Sequence, residues 1–252
     1  MSDIKVSDIR HENGCLQFTL SGSHEKGLDK SVVNAIRRTL LSDIPTIAFN
    51  TSDTNGGDIK MVKNDTSLHN EMMLHRIGLL PLYLNPDTFC KDYLFECNVT
   101  HDKSTPFQMV TANDINIYPL KTHLKKRLDD LNDESVTDRD PHERENLMAI
   151  LNTNHPDNYD LRHRLSQNDK DKILRPYVFR KMKNYCLLNE LKSTHTDGAH
   201  QSLHFYGSPS VGRASEHSRY QSVSQASYEF LQDNDLFQQA LKEKLSTEDI
   251  SE

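Results

Sequence analysis

An α+β fold is predicted from three features of the sequence. Short segments that alternate apolar and polar residues, bounded by Asn, Gly, Pro or Asp, read as antiparallel strands. Two longer segments, Leu28–Asp43 and Ser67–Gly78, repeat their apolar residues at helical spacing. Between residues 121 and 171 the composition turns to Asp, Asn, Arg and Lys, which marks an insertion into a strand-bearing chain.

The elements follow in order. Ile4–His11 and Cys15–Leu20 alternate around Asn13-Gly14 and read as an opening hairpin. A loop leads into the first helix. At 100° per residue, Val32, Val33, Ile36, Leu40 and Leu41 spread over roughly half its circumference, wider than the ~100° stripe of an ordinary surface helix. So wide an arc suits a helix that packs on two partners, its own sheet and a second helix, whether of the same chain or of another. Arg37 falls inside the apolar arc, whereas Asn34, Arg38 and Ser42 lie opposite. Two readings of Arg37 stay open: a buried guanidinium that needs a partner, or a side chain that snorkels to water.

Pro45 stops this helix. Thr46–Thr51 reads as a strand, Asn55-Gly56-Gly57 as a turn, and Asp58–Lys63 as the returning strand. In the second helix Leu68, Glu71, Met72 and His75 share a face, with Gly78 predicted as a left-handed cap and Pro81 forbidding continuation. Asn85-Pro86-Asp87 marks an expected domain change. Tyr93–Val99, Phe107–Thr111 and Ile115–Tyr118 read as strands. Within the polar stretch, Leu124, Leu128 and Leu131 suggest one amphipathic helix; Pro141, Leu147, Ile150 and Leu151 suggest another. The stretch reads either as a solvated insertion or as a docking surface. Tyr185–Leu191 suits a buried strand, with Ser202–Tyr206 as its partner, and Phe230–Leu245 reads as helical.

Composition narrows the function. The 252 residues suffice for one or two domains with a real core. A hydrophobic content of 35% and a mean hydropathy of -0.73 imply that part of the chain is exposed, inserted or mobile. A net charge of -7 argues against a free-standing nucleic-acid binder. No apolar run approaches the ~20 residues of a membrane span, and Met1–Lys5 has no signal-peptide anatomy. The four cysteines, Cys15, Cys90, Cys97 and Cys186, form no Cys-x-x-Cys pair, so a reduced intracellular setting is expected, with no cofactor and no metal.

Thirteen histidines invite a metal-dependent hydrolase as an alternative. His69 and His75 superficially resemble a helical zinc motif, but six residues put them about 120° apart, whereas that motif needs i, i+4 spacing. No Gly-rich phosphate loop or nucleophile elbow appears.

The pattern Asn34-Ala35-Ile36-Arg37-Arg38-Thr39-Leu40-Leu41, then Ile44-Pro45-Thr46-Ile47-Ala48, resembles the opening helix of the alpha-type subunits of cellular RNA polymerases. That family comprises bacterial alpha, archaeal D and the eukaryotic third-largest subunit. Asn70-Glu71-Met72-Met73-Leu74-His75-Arg76-Ile77-Gly78-Leu79-Leu80-Pro81-Leu82 is similar to its second signature, and Gly207–Tyr228 to its third. The 24 residues after Tyr228 do not closely match the family's ending, and 121–171 has no counterpart in it. These departures suit a divergent member, cellular or viral.

The resemblance implies an alpha-like dimerisation domain, an antiparallel sheet with packed helices (residues 1–84 and 202–252). An inserted, mostly-β domain (85–201) interrupts it and carries the polar helical insertion 121–171. The resemblance further implies a non-catalytic assembly subunit of a DNA-directed RNA polymerase. It would pair with a smaller alpha-like subunit of the eleventh-subunit type and dock the second-largest catalytic subunit. Nucleic acid would be met only through the complex, and no membrane is involved. The implied dimer interface is Val32, Val33, Ile36, Arg37, Leu40 and Leu41. The implied large-subunit contacts are Arg38, Glu71, His75, Arg76, Arg213 and His217, with Glu71 able to pair with Arg76 or Arg37. The place of action would be the nucleus for a cellular enzyme, and host cytoplasm or virion for a viral one. The alternative from another class is a stand-alone homodimeric protein-binding module.

Overall fold

The computed structural model describes residues 4–22, 28–51, 57–102, 105–132, 141–193 and 200–231. Mixed helices and antiparallel sheets make the fold α+β. The chain divides into two compact units, residues 1–41 with 223–252, and residues 42–222. The turn at 85–87 therefore falls inside the larger unit.

In the smaller unit, β1 (Lys5–Glu12) pairs with β2 (Cys15–Ser21). Asn13 and Gly14 both take positive φ, as a two-residue hairpin turn requires. Asp8, also at positive φ, sits where the register shifts between Ser7 and Arg10. The helix α1 (Lys30–Ser42) opens where Asp29 O accepts the N–H groups of Val32 and Val33. The predicted helix Phe230–Leu245 lies almost wholly outside the described residues.

The larger unit is built on a four-stranded antiparallel sheet. Its order is β4 (Ile59–Asn64), β11 (Ser202–Gly207), β5 (Tyr93–Thr100), β7 (Ile115–Pro119). Two further pairs are β3 (Thr46–Ala48) with β12 (Ser210–Gly212), and β6 (Phe107–Thr111) with β10 (Leu187–Lys192). Two pairing expectations are corrected here. Thr46–Thr51 and Asp58–Lys63 do not form a hairpin: β3 joins β12 and β4 joins β11. The expected turn at 55–56 lies outside the described residues. Tyr185–Leu191 is likewise not the ladder partner of Ser202–Tyr206, because β11 is an inner strand taken on both sides by β4 and β5.

Both faces of this sheet are covered. Successive strand residues point to opposite faces, so Phe95 and Cys97 enter one core while Leu94 enters another. The first core collects Phe49, Met73, Ile77, Ile115, Ile117, Leu188, Leu203 and Phe205 around α2 (Asn70–Gly78) and the sheet. Phe49 and Phe95 meet edge to face with centroids 5.2 Å apart.

The second core comes from the polar stretch. Leu124 and Leu128 of α3 (Thr122–Asn132) and Leu147 and Leu151 of α4 (Pro141–Asn152) bury against Leu94, Leu120 and Tyr159. Ile150, at the margin of the same face of α4, stays exposed. The stretch is thus polar in composition but amphipathic in space. It ends in α5 (Gln167–Ile173), whose buried Lys170 donates to the carbonyls of Asn113 and Ile115 (3.1 Å to the latter). Burial pulls the Lys170 pKa down.

The short hairpin β8 (Tyr177–Phe179) and β9 (Met182–Asn184) turns through Arg180 and Lys181, both at positive φ. Non-glycine residues in that region store of order 1–3 kcal/mol each.

Leu147→Ala is expected to lower the unfolding free energy by about 2–5 kcal/mol, the cost of emptying a core site. Ile150→Ala is expected to cost less than about 1 kcal/mol. Urea denaturation measures both; equal losses would show that α4 does not pack as described.

Candidate assembly surfaces

No residue of α1 is buried. Val32 and Ile36 are exposed, and Val33, Arg37, Leu40 and Leu41 are half-buried. Arg37 stays within its own helix, its Nε donating to Asn34 Oδ1 at 3.0 Å. Arg38 is exposed on the polar side. An apolar stripe with none of its residues buried is a helix face left without a full complement of contacts.

The second surface lies in the larger unit, where the second and third signatures converge. Glu71 is exposed in the first turn of α2, where His69 Nδ1 caps the Glu71 N–H at 3.5 Å. Arg76 Nη2 donates to Leu187 O at 3.0 Å, which ties α2 to β10. A main-chain carbonyl thus occupies Arg76, not the Glu71 carboxylate. Gly78 is not a left-handed cap, since the helix ends at Leu79 with φ -94°. Its role is space: a Cβ there would stand 3.1 Å from Thr51 Oγ1 and 3.4 Å from Arg219 Nη1.

Arg219, of the third signature, ties that loop to the segment after β3 and lies close to Gly78 of the second signature, and sequence reasoning did not single it out. Its Nη1 donates to Phe49 O (2.9 Å) and Thr51 Oγ1 (2.7 Å), and its Nη2 faces His217 Nε2 at 3.2 Å. His217 Nδ1 lies 3.1 Å from the Arg219 N–H, so both ring nitrogens face donors. Partial burial, then the Arg219 charge, then His75 hold the His217 pKa below the ordinary imidazole value. His75 and His217 are both exposed. Arg213 joins only through its backbone: its carbonyl accepts from Glu216 and His217, and the residue is exposed.

Beneath this surface lies a buried ion pair, also unforeseen. Lys91 Nζ meets Asp58 Oδ1 at 2.8 Å and donates to Ser208 O at 2.9 Å. Asp58 Oδ2 accepts from the Asn50 N–H (2.7 Å) and from Ser210 Oγ (2.6 Å). Since that hydroxyl hydrogen is used, Tyr220 donates to Ser210 Oγ across 3.1 Å. Gly207 and Gly212 serve close approach here, not unusual backbone angles. A Cβ on Gly207 would collide with Asp58 O, and one on Gly212 would enter the Tyr220 ring.

Among the described residues, no group of three His, Cys, Asp or Glu is arranged to hold a metal ion. Cys97 is buried, and burial pushes its thiol up to about 12, which keeps it neutral. No helix among the described residues is long and apolar enough to cross a membrane.

The fold is α+β and carries an amphipathic helix with no buried residue. The RNA polymerase Rpb3/Rpb11 dimerisation domain matches residues 24–235, so the chain belongs to that family of alpha-type RNA polymerase subunits. It is similar to the DNA-directed RNA polymerase subunit Rpo3 of Pyrococcus furiosus, 31% identical over 94 residues, 37% of this chain and 31% of the relative. It is also similar to the DNA-directed RNA polymerases I and III subunit RPAC1 of Homo sapiens, 30% identical over 88 residues, 34% of this chain and 22% of the relative. A conjugation stage-specific protein of Tetrahymena thermophila is 33% identical over 99 residues, 39% of this chain and 27% of the relative. The matched stretch spans about a third or less of each relative's length.

A lowered pKa in the folded state means that the unfolded chain takes up the proton first as pH falls. His217 therefore removes stability as pH drops through the ordinary imidazole range. An NMR titration is expected to give His217 a pKa below about 6.5, moving back towards that value in Arg219→Gln. A value at or above it in the unsubstituted chain would contradict the arrangement.

Proposed function

We propose that this chain is a non-catalytic assembly subunit of a multisubunit DNA-directed RNA polymerase. The apolar face of α1 pairs with the equivalent helix of a smaller alpha-like partner of the eleventh-subunit type. The heterodimer then docks the second-largest catalytic subunit through Arg38, Glu71, His75, Arg76, Arg213 and His217. The chain supplies no catalytic group of its own and meets nucleic acid only through the complex. It acts where its polymerase acts: the nucleus of a eukaryotic cell, or host cytoplasm or virion for a viral enzyme.

The observation that carries this reading is α1, an amphipathic helix whose apolar stripe has no buried residue, in a chain whose family is defined by dimerisation. A stable interface removes on the order of 800 Å² per partner from water. The proposal keeps residues 1–84 and 202–252 as the assembly part and 85–201 as the inserted part, with one amendment. Because β4 and β11 share a sheet with β5 and β7, the inserted part folds together with its host.

Tagged chain purified from its source is expected to bring down two very large polymerase subunits and a small alpha-like one. Val32→Asp with Ile36→Asp is expected to abolish recovery of the small partner while leaving the circular dichroism spectrum unchanged. Recovery of the chain only as a homodimer, with no polymerase subunits, would favour a stand-alone binding module and defeat the proposal.

A further inference from the structure

The β8–β9 hairpin has no place in the surfaces assigned above, and every one of its strand residues is exposed. Antiparallel pairing sets Tyr177 opposite Asn184 and Phe179 opposite Met182. These four side chains therefore share one face of the ribbon. Tyr177 is 71% exposed and Met182 62%. The face belongs to a two-stranded sheet, so each strand keeps one open edge of backbone N–H and C=O groups.

We propose that this face docks an extended acidic segment of another subunit of the polymerase. The carboxylates of that segment pair with Arg180 and Lys181, its apolar side chains cover Tyr177 and Met182, and its backbone adds to an open strand edge. The inference rests on the reading that the chain works inside a polymerase assembly.

Charge is the first argument. Arg175-Pro-Tyr-Val-Phe-Arg-Lys-Met-Lys-Asn184 carries four cations and no acid, in a chain of net charge -7. Two of the four are tied to residues beyond the hairpin: Lys183 binds Asp171, and Arg175 lies over the Tyr83 ring at 4.2 Å. Arg180, over the Phe179 ring of its own hairpin, and Lys181 stand at the tip of the turn. The turn is the second argument. Its two residues hold positive φ without a glycine or asparagine to ease it, and what that strain secures is the projection of two cations beside the Tyr177–Met182 face. The third argument separates a peptide from single-stranded nucleic acid. Bases need free aromatic faces to stack on, and with Arg180 over the Phe179 ring at 5.2 Å only the lone Tyr177 ring of this face is open to one. A peptide needs only apolar cover, open strand edges and opposite charge, and the hairpin offers all three.

Two measurements test this. In the first, the purified full chain is titrated with a synthetic peptide alternating Glu with Leu, with the same peptide carrying Lys for Glu, and with oligouridine. Binding is expected for the acidic peptide alone, weakened at least about tenfold in R180D/K181D and by raised salt. Equal binding by the variant, no binding of the acidic peptide, or preference for oligouridine overturns the proposal. In the second, p-benzoylphenylalanine replaces Tyr177 in the tagged chain, and the purified assembly is irradiated. A crosslink to a net-negative segment of another polymerase subunit is the expected result. Crosslinks confined to this chain, or to a basic or neutral segment, or to nucleic acid, or none at all, overturn it. If no polymerase subunit co-purifies, the assembly reading fails on its own, and the peptide titration still decides the hairpin.

Discussion

The Asp58–Lys91 pair is the constraint on which the larger unit's working surface rests. Both side chains are removed from water, about a tenth exposed. Charges in that position stabilise a fold only when hydrogen bonds fill their remaining capacity. Asp58 receives Lys91, the Asn50 N–H and the Ser210 hydroxyl; Lys91 reaches on to the Ser208 carbonyl. These donors and acceptors come from the segment after β3, the start of β4, the turn before β5 and the entry to β12. One buried charge pair thus fixes four distant pieces of chain, and through Ser210 it fixes Tyr220 and the loop that carries His217 and Arg219. Gly207 and Gly212 belong to the same arrangement, since a methyl group at either would occupy space that Asp58 or Tyr220 already fills.

The two candidate surfaces differ in kind. The α1 surface is apolar and incomplete: its stripe has helical period but no buried member. Its contribution to any complex would come from area removed from water, at roughly 25 cal/mol per Å² before the costs of association. The surface around His75, His217 and Arg219 is polar and already internally bonded. A preorganised surface of that kind sets orientation and partner choice more than gross affinity. An assembly subunit needs both, one to hold a partner and one to place it.

Local patterns in the sequence survive into the structure; long-range choices do not. The Asn13-Gly14 hairpin, α1, α2 and most strands follow from turn chemistry and periodicity that need no knowledge of the rest of the chain. The amphipathic leucines of α3 and α4 were equally readable, but the charged residues around them hid the fact that they close one face of the sheet. Strand partners were misread because an isolated strand pattern says nothing about which edges compete for it, and β11 is claimed from both sides. Gly78 was read as a conformational device, whereas close approach to Thr51 and Arg219 explains it. Arg219 and Lys91 carry no local signal because each reaches a main-chain carbonyl far away in sequence, at Phe49 and Ser208, and the carboxylate that pairs with Lys91, Asp58, lies 33 residues from it. Carbonyls carry no residue-type signature, so nothing in a motif can announce them.

The central claim is that α1 is one side of an intermolecular seam. Carbene footprinting of Val32–Leu41, done on the isolated chain and on the purified polymerase assembly, measures that directly. The account predicts that Val32 and Ile36 label in the isolated chain and become protected in the assembly, while the exposed Ile150 labels equally in both. Unchanged labelling of Val32 and Ile36 on assembly would contradict it.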